Sequence, residues 1–187
     1  MDQQSSKHTI AALVENKPGV LNRVASLFRR RNFNVDSLTV GRTYKSHISR
    51  MTLVVDAKRT DARKMISNLF KLINVIDVKL VSSEPHVSRD LALVKVRSDD
   101  ADSRNGLTLL CERFPARIVD IGPHYAIAEI TAQEDVVEGF IEEVAKIGIV
   151  ELVRTGVVAM GRGTRILDTE YEPAIPVAAN GSAHQVY

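Results

Sequence analysis

Tryptophan is missing from this 187-residue chain, aromatic residues make up only 5% of it, and there is one cysteine. That single thiol, Cys111, excludes an intrachain disulfide and a cysteine metal cluster. It sits in Leu107-Thr108-Leu109-Leu110-Cys111, a setting that reads as a small buried hydrophobe rather than a reactive nucleophile. Long apolar runs are missing too, and none approaches the roughly 18 residues that a membrane span needs. The first six residues, Met1-Asp2-Gln3-Gln4-Ser5-Ser6, are polar and lack the apolar core of a signal peptide. A soluble, cytoplasmic protein with no membrane partner is expected.

Catalytic patterns are equally scarce. Five histidines, at positions 8, 47, 86, 124 and 184, show no ligand-like spacing, so no metal is expected. No GxSxG elbow occurs, and Cys111 has no histidine nearby in sequence to activate it. Glu142-Glu143 falls on the polar side of an amphipathic helix, and Gly161-Arg162-Gly163 lacks both the spacing and the lysine of a phosphate-binding loop. The chain reads as a non-enzyme. Charge of one sign is also lacking: 25 basic and 23 acidic residues, interspersed, leave a net charge of +2. A polyanion partner favours a concentrated basic face. The local excess, Arg29-Arg30-Arg31, suits the last turn of a helix, where cations complement the dipole. RNA-recognition modules stack bases on strand aromatics, but the matching strand here, Ser49-Arg50-Met51-Thr52-Leu53-Val54-Val55-Asp56, has none. No nucleic-acid partner is expected.

What is present is a repeated order of elements. His8–Val14 reads as a strand, and Pro18–Arg31 as a helix with apolar residues at 20, 21, 24, 25, 27 and 28. Val35–Thr43 and Ser49–Asp56 follow as strands, Thr60–Leu72 as a helix capped by Thr60, and Val75–Val81 as a closing strand. After a break containing Glu84-Pro85-His86 the order recurs. Leu91–Arg97 is a strand, Asp102–Phe114 a helix, Ala116–Ile121 and Tyr125–Thr131 strands, Gln133–Ile147 a helix, and Val150–Met160 the last strand. The predicted class is α+β, two ferredoxin-like βαββαβ domains: residues 8–82, a linker at 83–89, residues 90–163, and a disordered tail at 164–187. Each sheet carries helices on one face. Its other face needs cover, and a second copy of the chain is the expected source.

Asn16-Lys17-Pro18-Gly19 joins the first strand to the first helix abruptly. Proline is read in the first helical turn, where its missing N–H costs nothing. The N–H groups of Gly19, Val20 and Leu21 lack intrahelical acceptors and gain partial positive charge from the dipole. Glycine lets a carboxylate approach the backbone, while Asn16 offers a donor and an acceptor to a zwitterion. Val20, Leu21 and Val35 are read as a small apolar pocket. These residues fit a small aliphatic amino acid. They fit equally a plain turn in which Asn16 caps the helix and Gly19 reverses the chain, and the residues alone leave both readings open.

"ENKPGVLNRVASLFRRRNFNVDSLTVG", "SRMTLVV", "VKLV", "RDLALVKV" and "RTGVVAMGRG" together resemble the regulatory (small) subunits of acetolactate synthase, a family built on the amino-acid-binding ACT domain. The resemblance spans residues 9–163. It implies a catalytic-subunit partner that carries thiamine diphosphate, Mg²⁺ and FAD, with no cofactor in this chain. It also implies activation of that partner and feedback inhibition by valine, or by leucine or isoleucine. By motif, the effector site carries over onto Asn16, Gly19, Val20 and Leu21, joined by Asn34 and Val35 from the neighbouring protomer of an ACT-domain homodimer. Asn22 stands where some members carry serine. In fold the second domain resembles the effector-binding domain of nickel-responsive repressors, without their clustered histidine and cysteine ligands. A free-standing ACT-type sensor acting on another enzyme is the alternative reading.

Overall fold

A computed structural model describes residues 7–56, 61–163 and 167. The expected tail at 164–187 lies, apart from Leu167, outside the described residues.

Strand β1 (Lys7–Glu15) leads into helix α1 (Val20–Arg31), strands β2 (Val35–Arg42) and β3 (Ile48–Asp56), helix α2 (Ala62–Leu69) and strand β4 (Val75–Leu80). The antiparallel sheet has the order β2-β3-β1-β4. Alternation in the strands sends Ile10, Ala12, Val14, Met51, Leu53 and Val55 toward the helices. There they meet Val20, Val24, Leu27 and Phe28 of α1, and Met65 and Leu69 of α2. Asp61, not Thr60, caps α2: its carboxylate accepts from the backbone N–H groups of Arg63 and Lys64. Thr60 itself lies outside the described residues.

The second unit repeats the plan with β5 (His86–Arg97), α3 (Ala101–Arg113), β6 (Ala116–Ile121), β7 (Tyr125–Ala132), α4 (Glu134–Ala145) and β8 (Ile149–Arg154). Its sheet runs β6-β7-β5-β8. Small residues on β5 and β7, Ala92, Ala126 and Ala128, let the helices sit close, and Phe114 meets Phe140 edge-on with ring centroids 5.5 Å apart. Cys111 packs, half-buried, against this core, and burial pushes its thiol pKa up.

Two expectations about the chain path are corrected. Much of the expected linker at 83–89 is strand, because β5 starts at His86. The expected single strand over Val150–Met160 is two, β8 and β9 (Val158–Gly161), separated at Thr155-Gly156-Val157. Strand β9 pairs antiparallel with the first half of β5, His86 with Gly161 through Arg89 with Val158.

This crossing back covers the outer face of the first sheet, the role the sequence reading gave to a second copy. Ala11, Leu13, Thr52 and Val54 are buried there. The Val157 backbone N–H donates to Ser37 Oγ (3.1 Å), Thr39 Oγ1 to the Thr155 carbonyl (3.0 Å), and Arg50 Nη2 to the Ala159 carbonyl (2.6 Å). Gly156 makes the approach possible. Its φ is +79°, and a Cβ there would lie 2.3 Å from Ser37 Oγ, so only glycine fits. Lys7 Nζ and Glu134 Oε1, 2.8 Å apart, add a salt bridge between the units.

A polar lock sits where β5 meets β8. Asp90, 1% exposed, accepts from Arg154 Nε (2.9 Å) and Nη2, while Arg154 Nη1 donates to Glu138 Oε1 (2.6 Å). Burial alone would lower the guanidinium pKa, but the bonds to Glu138 and Asp90 outweigh it and hold it above its ordinary value.

Candidate functional site

The β1–α1 junction is fixed from three sides. The Asn16 backbone N–H donates to the His47 carbonyl (2.7 Å), and its side-chain Nδ2 donates to the Ser46 carbonyl (2.9 Å). Both anchors are therefore on the loop between β2 and β3. Glu15 receives Nδ2 of Asn74 (2.5 Å) and Nζ of Lys17 (3.1 Å), and Arg23 Nη1 donates to Asn74 Oδ1 (2.5 Å). The Asn74 and Lys17 hydrogen bonds hold the Glu15 carboxyl below its usual range.

Asn16 does not cap α1. Gly19 occupies the cap position at φ +84°, ψ −10°, with no side-chain hydrogen bond, and Pro18 stands before the helix rather than in its first turn. The left-handed conformation at Gly19 turns the chain sharply. A Cβ there would meet nothing within 4 Å, so the space in front of the helix start is open. The Val20 N–H makes a long turn bond to the Lys17 carbonyl (3.4 Å), so the set of outward amides is smaller than three. The Val20 side chain is also corrected: it is 5% exposed and belongs to the core, not to a surface pocket. Leu21, 49% exposed, is the apolar side chain beside Gly19 that remains accessible.

Asn34 and Val35 lie elsewhere. In the sheet register Val35 pairs with Val55, whereas Glu15 pairs with Ile48. The two groups thus flank opposite ends of β3, seven residue steps apart, or about 23 Å at strand rise. One chain brings Asn16, Gly19 and Leu21 together but not Asn34 and Val35. Asn34 Nδ2 instead donates locally to Asp36 Oδ1 (3.3 Å).

Sequence reasoning missed the anchors Ser46, His47 and Asn74. Their contributions are mostly backbone carbonyls or long-range bonds, and only Asn74, just before β4, carried a residue-type signal. Among the described residues no group of three or more histidine, cysteine, aspartate or glutamate side chains could hold a metal ion. No helix among them is long and apolar enough to cross a membrane.

Residues 10–77 match the family model of the AHAS small subunit-like ACT domain, and residues 89–163 that of the small subunit of acetolactate synthase. A probable acetolactate synthase small subunit from Archaeoglobus fulgidus is 48% identical over 159 residues, covering 85% of this chain and 99% of that protein. The chain belongs to the acetolactate synthase small-subunit family. A Mycobacterium bovis acetolactate synthase small subunit is 42% identical over 162 residues, which is 87% of this chain and 96% of that one. The crystal structure of the Thermotoga maritima acetolactate synthase small subunit superposes with a TM-score of 0.76 at 36% identity, covering 85% of this chain and 99% of that one. The two-unit ferredoxin-like architecture is thus that of the small-subunit family, with the strand–helix junction inside its ACT domain.

Proposed function

We propose that this chain is a regulatory subunit that docks on a separate acetolactate synthase catalytic subunit, raises its activity and makes it sensitive to valine. Matches to small-subunit family models in both units carry this reading. The thiamine diphosphate, Mg²⁺ and FAD of the reaction would belong to the catalytic subunit, with this chain acting on the holoenzyme's conformation. The exposed tip of the β2–β3 loop, with Tyr44 75% exposed, is a surface suited to that contact. Acetolactate formation by each subunit alone and by the mixture tests the proposal. No activity from this chain and a several-fold stimulation of its partner are expected. Equal rates with and without this chain would refute it and favour a free-standing sensor.

For the effector, the valine carboxylate would sit before the α1 N-terminus against Gly19, its ammonium group on the Asn16 side-chain oxygen, and its isopropyl group on Leu21. The remaining walls, Asn34 and Val35, would come from a second protomer. Antiparallel pairing of two β2 edges about a twofold axis places the start of one β2 beside the end of the other. The β2 end, through Ser46 and His47, adjoins Asn16. Strand β2 is an edge strand with Leu38 and Val40 each more than one-third exposed, the kind of edge that proteins normally cover. A ligand that bridges two chains favours the dimer by mass action, by about 2.7 kcal/mol at a hundredfold excess over its Kd. Sedimentation at low micromolar protein is expected to shift toward dimer on adding valine. An unchanged distribution despite demonstrated binding would put the whole site within one chain.

A further inference from the structure

On the sheet face opposite α1 and α2, a cavity of about 590 Å³ lies between the outer surface of the first sheet and β9. Its volume falls within the range of small-molecule sites, about 300–1,000 Å³. Leu13, Ile48, Leu80, Val81 and Met160 supply apolar walls drawn from both units. Arg50, near the start of β3, adds a partly buried guanidinium. It spends Nη2 on the Ala159 carbonyl (2.6 Å), and among the described residues no carboxylate pairs with it. A guanidinium has five N–H donors in a planar fork, so one carbonyl leaves most of its bonding capacity unused. Burial lowers the Arg50 pKa, the signature of a cation whose desolvation is not offset by a nearby anion.

The other charges define the complementary ligand. Arg42 adds a second cation, Lys79 lies 3.8 Å from Asp77, and Glu84 is a carboxylate in the lining. The Arg42 and Arg50 guanidinium groups, set among apolar walls, suit a ligand with one carboxylate and an apolar chain. A ligand ammonium group placed beside Arg42 and Arg50 would be repelled. We infer that this cavity binds a small aliphatic monocarboxylate without an amino group, its carboxylate on Arg50 and its chain among Leu13, Leu80 and Met160. The inference is independent of the valine reading, because the strand–helix junction contributes no residue to this cavity. A bound ligand would touch both units and tighten β9 against the first sheet.

The test is methyl-detected NMR on the full chain, titrated with hexanoate, hexanol, hexylamine and valine. Hexanoate is expected to shift the Leu13, Ile48, Leu80, Val81 and Met160 methyls saturably. Hexanol and hexylamine are expected to bind about tenfold or more weakly, the usual worth of a charge-assisted hydrogen bond. Met160 is 66% exposed, so Met160→Glu should fold normally while placing a competing carboxylate in the cavity. It is expected to cost hexanoate at least about tenfold in affinity, with Met160→Gln close to wild type. Arg50→Gln is expected to show the same loss, its fold checked by the unchanged shifts of α3 and α4 methyls. Four results would overturn the inference: no saturable shift, equal binding of hexanol, hexanoate binding unaffected by Met160→Glu, or shifts confined to Val20, Leu21 and Val35. Valine that shifts only the last group leaves the two sites distinct, as inferred.

Discussion

Gly19→Asp is expected to abolish valine inhibition of the reconstituted holoenzyme while leaving its activation largely intact. The new carboxylate would stand where the effector's carboxylate must approach the helix start. Two like charges about 4 Å apart repel by about 4 kcal/mol at a protein-surface dielectric, near three orders of magnitude in affinity. The fold pays a smaller penalty. A Cβ at position 19 meets no atom within 4 Å, so the cost is that of a side chain at φ +84°, about 1–2 kcal/mol. Gly19→Asn separates the two effects, since asparagine tolerates this backbone region and carries no charge; it should keep a substantial part of the inhibition. Asn34→Ala removes hydrogen bonds worth about 1–3 kcal/mol and should weaken valine by about 5- to 150-fold. Valine titrations of each variant, with activation measured without valine, check all three. Wild-type inhibition by Gly19→Asp would mean that the junction is only a turn.

Arg154→Met is expected to destabilise the second unit by about 3–5 kcal/mol, because it strands a carboxylate in a nearly dry position. Asp90 is 1% exposed, and the Arg154 guanidinium gives it two of its hydrogen bonds. Thr155 Oγ1, 3.5 Å from Asp90 Oδ1, is too distant to replace them. Removing both charges should cost far less. In Asp90→Leu combined with Arg154→Met no ion remains to be desolvated, and such replacements are often neutral or stabilising. Urea denaturation of the two single variants and the double variant reads the coupling directly. Additive losses, or a loss for Arg154→Met below about 1 kcal/mol, would show that water solvates Asp90 after all.

The two ferredoxin-like units were legible because their periodicities switch cleanly between two residues in strands and about 3.6 in helices. Met51, Leu53 and Val55 announce a strand facing a core, and Leu107, Leu110, Cys111 and Phe114 a helix stripe; both hold. What escaped depends on partners distant in sequence. Val87 and Arg89 become strand because Met160 and Val158, some 70 positions on, lie opposite them. Gly156 splits the last strand, and its role shows only once Ser37 is known to stand 2.3 Å from a hypothetical Cβ. At α2 the signal was present but misjudged, since both Thr60 and Asp61 are good capping residues and only geometry decides between them. At the junction, residue types pointed to Asn16 and Gly19. They did not show that Val20 turns inward, because in a 3.6-residue stripe Val20 and Leu21 sit on neighbouring flanks and the core takes one.

The crossing of β9 onto the first sheet makes the two halves poor candidates for recombination. ACT domains look like interchangeable cassettes, yet a cut after residue 82 would leave this one with Ala11, Leu13, Thr52 and Val54 bare to water. It would also leave Arg50 without the Ala159 carbonyl. A transplant would have to carry β9 (Val158–Gly161) with it, and with that strand the first half of β5 that holds it in place. The inheritable unit is therefore the whole of residues 7–163, and a hybrid spliced at the sequence boundary would inherit an adhesive sheet instead of a covered ACT unit.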